Sequence, residues 1–402
     1  MKYKILFVEG NKDGTIGGSY FSLLYLIRNL DQKRYLPGVV FYFHHSLIDE
    51  FEAAGAKVFV LNTPRPINVA EYSTLSKVVL LKNILKLFQK GYNFFRLFLF
   101  RSLELLHFLK KRQIDIVHLN NSIVKNHEWM LACLLGSIKI MTHERGINQT
   151  FSKTSRFFGN RLDKIICISD AVRSNFIQKG FGSHNLATIH NGLNPGDCRV
   201  SIAANQLRQQ HALRSDLPVV GVVGNIKPWK GQSVLLEAVK ILRDRYRFTC
   251  YGFFVGSTPQ DTLDYKRELD TFLSQNELHD CVTFTGYVKN PADYMNLFDV
   301  VVHTSIEPEP FGRVLLEAMA LKKPLIATAI GAPMEILVPG VTGLLVKPGD
   351  GPALAKAIYA LIQDKDRARQ MGRKGYERLL SHFSIGSNVK ATESIYDNLL
   401  QN

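Results

Sequence analysis

The sequence predicts an α/β protein built as two doubly wound parallel-sheet domains. Three observations carry that expectation. The chain opens on an apolar strand, a glycine-rich turn and a helix, the usual start of such a sheet. Apolar runs of strand length then alternate with helix-length stretches along the chain. The length of 402 residues allows two to three domains, and a hydrophobic content of 46% can fill their cores.

Taken in order, residues 4–9 read as the first strand and 19–29 as the first helix, with Gly10, Gly14, Gly17 and Gly18 in the turn between them. These glycines miss the Gly-x-Gly-x-x-Gly spacing of a dinucleotide site, which argues against a nicotinamide dehydrogenase. Any one of them alternatively marks a tight turn that needs positive φ. Strands at 38–43 and 57–61 flank a helix at 47–54, and two prolines place 63–67 in a loop. Further strands are expected at 114–120, 139–146 and 164–169, with a helix at 170–179, and TIHNGLN at 188–194 closes the first half. Ligands of open parallel sheets sit beyond the carboxyl ends of the strands. His118, Asn120, Asn121, His143, Glu144 and Arg145 stand at such ends.

A polar linker and a first helix fill 199–215. The second half then repeats the alternation. PVVGVVGN is a strand, KPWKGQ a loop, 233–245 a helix, 247–254 a strand and 261–275 a charged helix. Strands at 281–288, 299–303 and 324–328 follow, with a helix at 312–320 and a short one around Glu335. Helices at 350–364 and 366–380 and an amphipathic tail at 384–400 complete the chain. The expected domains are 1–198 and 199–382, with a C-terminal helix at 383–402.

Five cysteines, at 133, 167, 198, 250 and 281, form no Cys-x-x-Cys pair, so a reducing compartment is expected. The first apolar run is too short for a signal peptide, and no run reaches eighteen apolar residues. The net charge of +15 is lopsided. Residues 1–200 carry 27 Lys and Arg against 14 Asp and Glu, and the remainder 23 against 21. The first half is therefore the side that meets an anionic partner. Within it, residues 76–113 hold nine Lys or Arg and a single acidic residue, Glu104, with apolar and aromatic residues at helical spacing. One reading is an amphipathic segment that docks on an anionic membrane through Phe94, Phe95, Phe98 and Phe100. The other is a core helix pair with a solvated basic face. No nucleic-acid motif accompanies the basic residues, so nucleic acid is not an expected partner.

The chemistry concentrates in 303–343, HTSIEPEPFGRVLLEAMALKKPLIATAIGAPMEILVPGVTG. A helix start offers unpaired N–H groups and the positive end of the dipole, so Phe311, Gly312, Arg313 and Val314 form an anion site. Glu317, inside the helix, is placed to accept vicinal hydroxyls such as those of a ribose. Glu309, on the loop, is free for the hydroxyls of a second group. Together they fit a sugar nucleotide.

Glu309 and Glu317, with PFGRVLL between them, resemble the Glu-x7-Glu motif of retaining family 4 glycosyltransferases with the GT-B fold. EAMA, PLIAT, GAPMEI and GVTGLLV follow in the order that family shows, and DIVH at 115–118 is similar to its strand. The resemblance implies two Rossmann-like domains facing an interdomain cleft, with the C-terminal helix crossing back to the N-terminal domain. It implies a hexose-type transfer from a nucleotide sugar to a glycan or lipid-linked acceptor, in surface polysaccharide or glycolipid synthesis. His143 matches the histidine that contacts the transferred sugar, and Gly17-Gly18 the glycine loop that approaches the donor phosphates. Lys230 matches the lysine that neutralises the diphosphate, and Tyr287 and Val288 the segment whose backbone meets the base. The family usually has an arginine where this chain has Asn225, which removes one positive charge; Lys227 and Arg313 are candidate substitutes. His118, Asn120, Asn121 and Arg145 are acceptor-side candidates.

Lys230, Glu309 and His143 are thus the expected catalytic group. The one Asp-x-Asp triplet, Asp364-Lys365-Asp366, falls between two helices, so neither a metal nor a cofactor is expected. The expected location is the cytoplasm, peripheral on the inner face of the cytoplasmic membrane. Two alternatives remain open: a sugar-nucleotide epimerase or hydrolase of the same fold, and a non-catalytic scaffold, which Asn225 favours.

Overall fold

The structure, a computed structural model, describes residues 2–12, 16–63, 65–68 and 79–401. Gly14, Pro64 and residues 76–78 of the basic stretch lie outside the described residues. The chain divides into two compact units. One comprises Met1–Ile168, Val172–Ile189 and Val389–Asn402, the other Ser169–Ala171 and His190–Asn388.

The first unit is a seven-stranded parallel sheet. Its strands are β1 (Tyr3–Val8), β2 (Tyr35–Phe41), β3 (Lys57–Val60), β4 (Ile116–Leu119), β5 (Lys139–Glu144), β6 (Lys164–Cys167) and β7 (Leu186–Thr188), in the order β3-β2-β1-β4-β5-β6-β7. The second unit has six: β8 (Val219–Val223), β9 (Tyr251–Val255), β10 (Val282–Gly286), β11 (Val300–His303), β12 (Leu325–Thr328) and β13 (Leu344–Val346). Their order is β10-β9-β8-β11-β12-β13, again all parallel. Each chain path runs outward from the middle of its sheet and then returns to extend the other side. The reversal lies between β1 and β4 in one unit and between β8 and β11 in the other. Ligands of doubly wound sheets bind at such reversals, beyond the strand ends. Helices cover both faces, so the strands are buried on both sides and read as unbroken apolar runs. Ile5 to Val8, Ile116, Val117, Val300 to Val302, Leu325 and Ile326 are almost fully buried.

Several expected boundaries move. The first unit ends at Ile189 rather than at 198. The reason is a close backbone approach: Leu193 N–H donates to the Phe383 carbonyl (2.9 Å), and a Cβ on Gly192 would lie 2.6 Å from the Ile385 Cα. Residues 190–198 therefore belong with the second unit. The C-terminal helix, Ile385–Gln401, begins in the second unit, and from Val389 onward it belongs to the first. There Glu393 accepts the Asp31 N–H at 2.7 Å, Asp397 accepts the Tyr35 hydroxyl, and Tyr396 reaches His118.

Strand β9 starts four positions later than expected. Arg247 takes φ +52° and Phe248 N–H returns to the Leu242 carbonyl, so these residues finish the preceding helix. Helices at His127–Gly136, Lys153–Gly159 and Pro291–Leu297 have no counterpart in the sequence reading. The first is apolar nearly all round, HEWMLACLLG, and so shows no amphipathic period.

The basic stretch is helical: Val79–Phe94 is α, Phe95–Phe100 is π, and Arg101–Arg112 is α again. No side chain from Asn83 to Arg101 is buried, whereas Ser102, Leu105 and Leu109 are. The reading of a core helix pair is therefore corrected for residues 83–101.

Candidate active site

In the second unit, two glycines bring the chemistry together. Gly231 takes φ +63°, and a Cβ there would lie 2.2 Å from the Thr304 carbonyl oxygen. That contact lets the Lys230 loop lie flat against the loop after β11. Thr304 Oγ1 donates to the Lys230 carbonyl (2.8 Å) and Ile306 N–H to the Trp229 carbonyl (2.8 Å). Gly331 takes φ +71°, and a Cβ there would meet the Glu309 oxygen at 2.5 Å and its nitrogen at 2.6 Å. Ala332 N–H also donates to the Glu309 carbonyl (3.0 Å). Glu309 is thus gripped from both sides.

The result is an ion pair 79 residues apart in sequence, Lys230 Nζ to Glu309 Oε2 at 2.5 Å. His303 Nε2 (3.1 Å) and the Ser305 hydroxyl (3.2 Å) meet the same oxygen. Burial alone would raise the Glu309 carboxyl, but the His303 hydrogen bond and the Lys230 charge overrule it and hold it at about 2. Glu309 is therefore a carboxylate at neutral pH, only 6% exposed. Three residues on, Gly312 (φ +83°) opens the helix Arg313–Ala320, and no side chain caps that start.

Arg313 and Glu317 face each other at 3.7 Å on this helix. Burial pushes the Glu317 carboxyl up, against the pull of Arg313. Arg313, a candidate substitute for the missing arginine, thus has an acidic partner one turn along its own helix. Asn225, beyond the end of β8, accepts the Ser257 hydroxyl on its side-chain oxygen (3.0 Å) and Gln232 Nε2 on its carbonyl (3.0 Å). It supplies polarity and no charge. Tyr287 and Val288 follow β10, with Tyr287 78% exposed. Phe311 is buried, and Val314 lies in the first turn of the Gly312 helix.

Asp170, His190 and Glu335 also converge closely enough to be tested as a metal site. Both Glu335 oxygens are already used: Oε2 accepts Asp170 N–H (2.8 Å) and meets His190 Nε2 (2.9 Å), and Oε1 accepts Ala171 N–H (2.8 Å). A carboxylate so placed caps the helix Asp170–Gln178.

In the first unit the acceptor-side candidates converge on a residue the sequence reading missed. Glu9, at the end of β1, is fully buried. It accepts Asn120 Nδ2 at 2.6 Å and the Asn121 amide, while Arg145 donates to the Asn120 Oδ1 (2.8 Å) and carbonyl (3.1 Å). Burial raises the Glu9 carboxyl, and Asn120 and Arg145 oppose the rise. Asn120 and Arg145, both acceptor-side candidates, thus also support a buried carboxylate. Asn121 shares in that support. His118 is also sealed, bonded to Tyr396. His143 is 1% exposed, and its Nε2 has no hydrogen-bond partner among the described residues. Burial, with Arg145 nearby, pushes both histidines down, His118 to about 3, so both are neutral.

Gly17 and Gly18 start the helix Gly18–Asn29, again with no side-chain cap. Neither takes positive φ, and a Cβ on either would meet nothing among the described residues within 4 Å. The tight-turn explanation fails for both.

The family model for glycosyl transferases group 1 matches residues 204–378, and that for Glycosyltransferase Family 4 matches 38–197. An N-acetyl-alpha-D-glucosaminyl L-malate synthase of Bacillus anthracis is 34% identical over 306 residues, 73% of this chain and 77% of that protein. The chain belongs to glycosyltransferase family 4. This family 4 member is also 29% identical over 247 residues to a capsular polysaccharide biosynthesis glycosyltransferase, CapM, of Staphylococcus aureus. That match spans 59% of the chain and 62% of CapM, short of two thirds of the relative's length. A crystal structure of Anabaena Alr3699/HepE with UDP-glucose superimposes with TM-score 0.76 at 23% identity, over 99% of this chain and 100% of that one. The fold of this family 4 member is therefore GT-B, two Rossmann-like units of seven and six strands.

Proposed function

We propose that the chain transfers a hexose-type sugar, with retention, from a nucleotide-sugar donor to a glycan or lipid-linked acceptor in surface polysaccharide or glycolipid biosynthesis. The observation that carries this reading is the Lys230–Glu309 pair held three residues before the uncapped helix start at Gly312. A diphosphate needs fixed positive charge and N–H donors, and both are present there. A sugar needs an ionised carboxylate to accept its hydroxyls, and Glu309 is ionised at any physiological pH. Glu317 takes the ribose hydroxyls, and the backbone at Tyr287 and Val288 meets the base. The helix start at Gly17-Gly18, which no described side chain caps, takes a phosphate by the same physics. His143 orients the sugar. As the glycosidic bond breaks, negative charge grows on the leaving phosphate, and Lys230 stabilises it more than it stabilises the ground state. No step of the reading uses a metal or cofactor. CapM and the HepE complex support a nucleotide-sugar donor and a polysaccharide product by their names.

The test is thermal stabilisation by UDP-, GDP-, ADP- and CMP-linked sugars and by NAD, for native protein and Lys230→Met. One nucleotide sugar should raise the native melting temperature by mass action and leave the variant nearly unmoved. No shift with any sugar nucleotide would sink the reading in favour of a scaffold, which the uncharged Asn225 favours.

We further propose that the reaction takes place at an anionic membrane, on the inner face of the cytoplasmic membrane. Among the described residues no helix is long and apolar enough to cross one. Leu87 (73% exposed), Phe88, Phe95 and Phe100 instead project into solvent along one helical arm. At about 100° per residue, Ile84, Leu87, Phe88, Tyr92 and Phe95 share one face and Lys86 and Lys90 the other. Aromatics flanked by exposed Lys86, Lys90 and Arg96 suit an acidic lipid surface better than a second copy of the same basic arm. Co-sedimentation with vesicles should require anionic lipid and be lost in Phe95→Ser/Phe100→Ser. A concentration-dependent dimer that ignores vesicles would overturn the assignment.

A further inference from the structure

Three neutral groups in the first unit form one line of hydrogen bonds. The Tyr396 hydroxyl, on the C-terminal helix, meets His118 Nδ1 at 2.6 Å. His118 Nε2 meets His143 Nδ1 at 3.3 Å. The two imidazoles lie within 6° of parallel, with centres 5.4 Å apart. His118 and Tyr396 are 0% exposed and His143 1%.

The direction of the protons follows from what each group lacks. A buried hydroxyl must donate somewhere, and His118 Nδ1 is the acceptor it has among the described residues. His118 therefore carries no proton on Nδ1. Being neutral, it carries one on Nε2 and donates it to His143 Nδ1. His143, also neutral, is left with its proton on Nε2. That atom is buried and unpartnered among the described residues.

We propose that Tyr396 is a positioning residue that fixes His143 as an Nε2–H donor. So fixed, His143 recognises an oxygen of the ligand and does not serve as a general base. The opposite proton order would make Nε2 a lone-pair acceptor, but it would leave the buried Tyr396 O–H with no acceptor among the described residues. The ligand oxygen is one borne by the transferred sugar, and this part rests on the function proposed above.

The experiment is nitrogen-15 NMR of histidine-labelled full-length protein, reading the tautomer of each ring from long-range proton couplings. Both His118 and His143 should be Nε2–H in the native protein. A His143 found as Nδ1–H, or charged at pH 7, would overturn the proposal whatever the enzyme does. Tyr396→Phe keeps the ring and removes the hydroxyl. It should relax both tautomers and lower kcat/KM roughly ten-fold. Affinity for the nucleoside diphosphate alone should stay unchanged, a result that general misfolding would not give. Unchanged tautomers in Tyr396→Phe would also refute the role. If no donor or acceptor supports turnover, the transfer reading fails, while the tautomer result still decides this one.

Discussion

Lys230→Met is the most informative single change, because it removes an ammonium and keeps most of the stem. The Glu309 side chain it abandons is 8% exposed. In the native unit that carboxyl sits at about 2, against an ordinary 4.5. At about 1.36 kcal/mol per pH unit, its partners favour the charged form by about 3 kcal/mol. Lys230 shares this work with His303, so about 2 kcal/mol should be lost at pH 7. For a unit of this size that lowers the melting temperature by about 4–8 °C. The sign with pH is fixed. A depressed carboxyl contributes stability that is present above its unfolded value, 4.5, and lost as pH falls through about 2. The gap between native and variant should therefore be widest near neutrality and close as pH falls from 5 toward 2. Urea unfolding at pH 7 and pH 3 measures it. Adding Glu309→Gln should recover most of the loss, since no buried charge is then left unpaired. Equal stability at pH 7, or a gap that does not move with pH, would refute the reasoning.

Other changes test other parts of the molecule. Glu317→Ala should weaken binding of a nucleotide sugar roughly ten-fold or more by calorimetry, and unchanged affinity would dismiss the ribose assignment. Gly331→Ala forces a side chain to φ +71° and onto the Glu309 backbone 2.5 Å away. It should cost about 1–3 kcal/mol and abolish the donor-induced thermal shift. Glu144 is buried and pushed up to about 7 by that burial, with Thr142 and Ile123 opposing. A raised carboxyl costs nothing below 4.5 and destabilises progressively as pH rises through about 7, by about 3 kcal/mol in full. Glu144→Gln should flatten that part of the stability profile, and a profile identical to native would show the carboxyl is not what titrates.

The fold was legible because parallel strands buried on both faces must be apolar throughout, so runs such as Ile5 to Val8 and Val300 to Val302 stand out. The helix His127–Gly136 was hidden for a related reason, since a helix whose apolar residues run nearly all round it has no polar face to reveal its period. Glu309 and Lys230 were visible singly, but not their pairing. That depends on Gly231 and Gly331, whose φ values and close contacts no local pattern discloses. Glu9 had a signal that went unread: a carboxylate ending an apolar strand, KILFVEG, is either exposed or deliberately held. The arm at 83–101 kept two readings because its pattern alone suits a bilayer and a core equally. Solvent exposure of residues 83–101 speaks against the core reading, and the bilayer reading stays a proposal.

The C-terminal helix has a bearing on the order in which the molecule is made. Its stretch from Val389 completes the first unit, yet residues 190–388 must be synthesised before it exists. At about 5–20 residues per second, that delay is roughly 10–40 s. Through this interval the nascent first unit has its strands but not Glu393 for Asp31, Asp397 for Tyr35 or Tyr396 for His118. The first unit, whose strands are made first, is thus the last of the two to be completed.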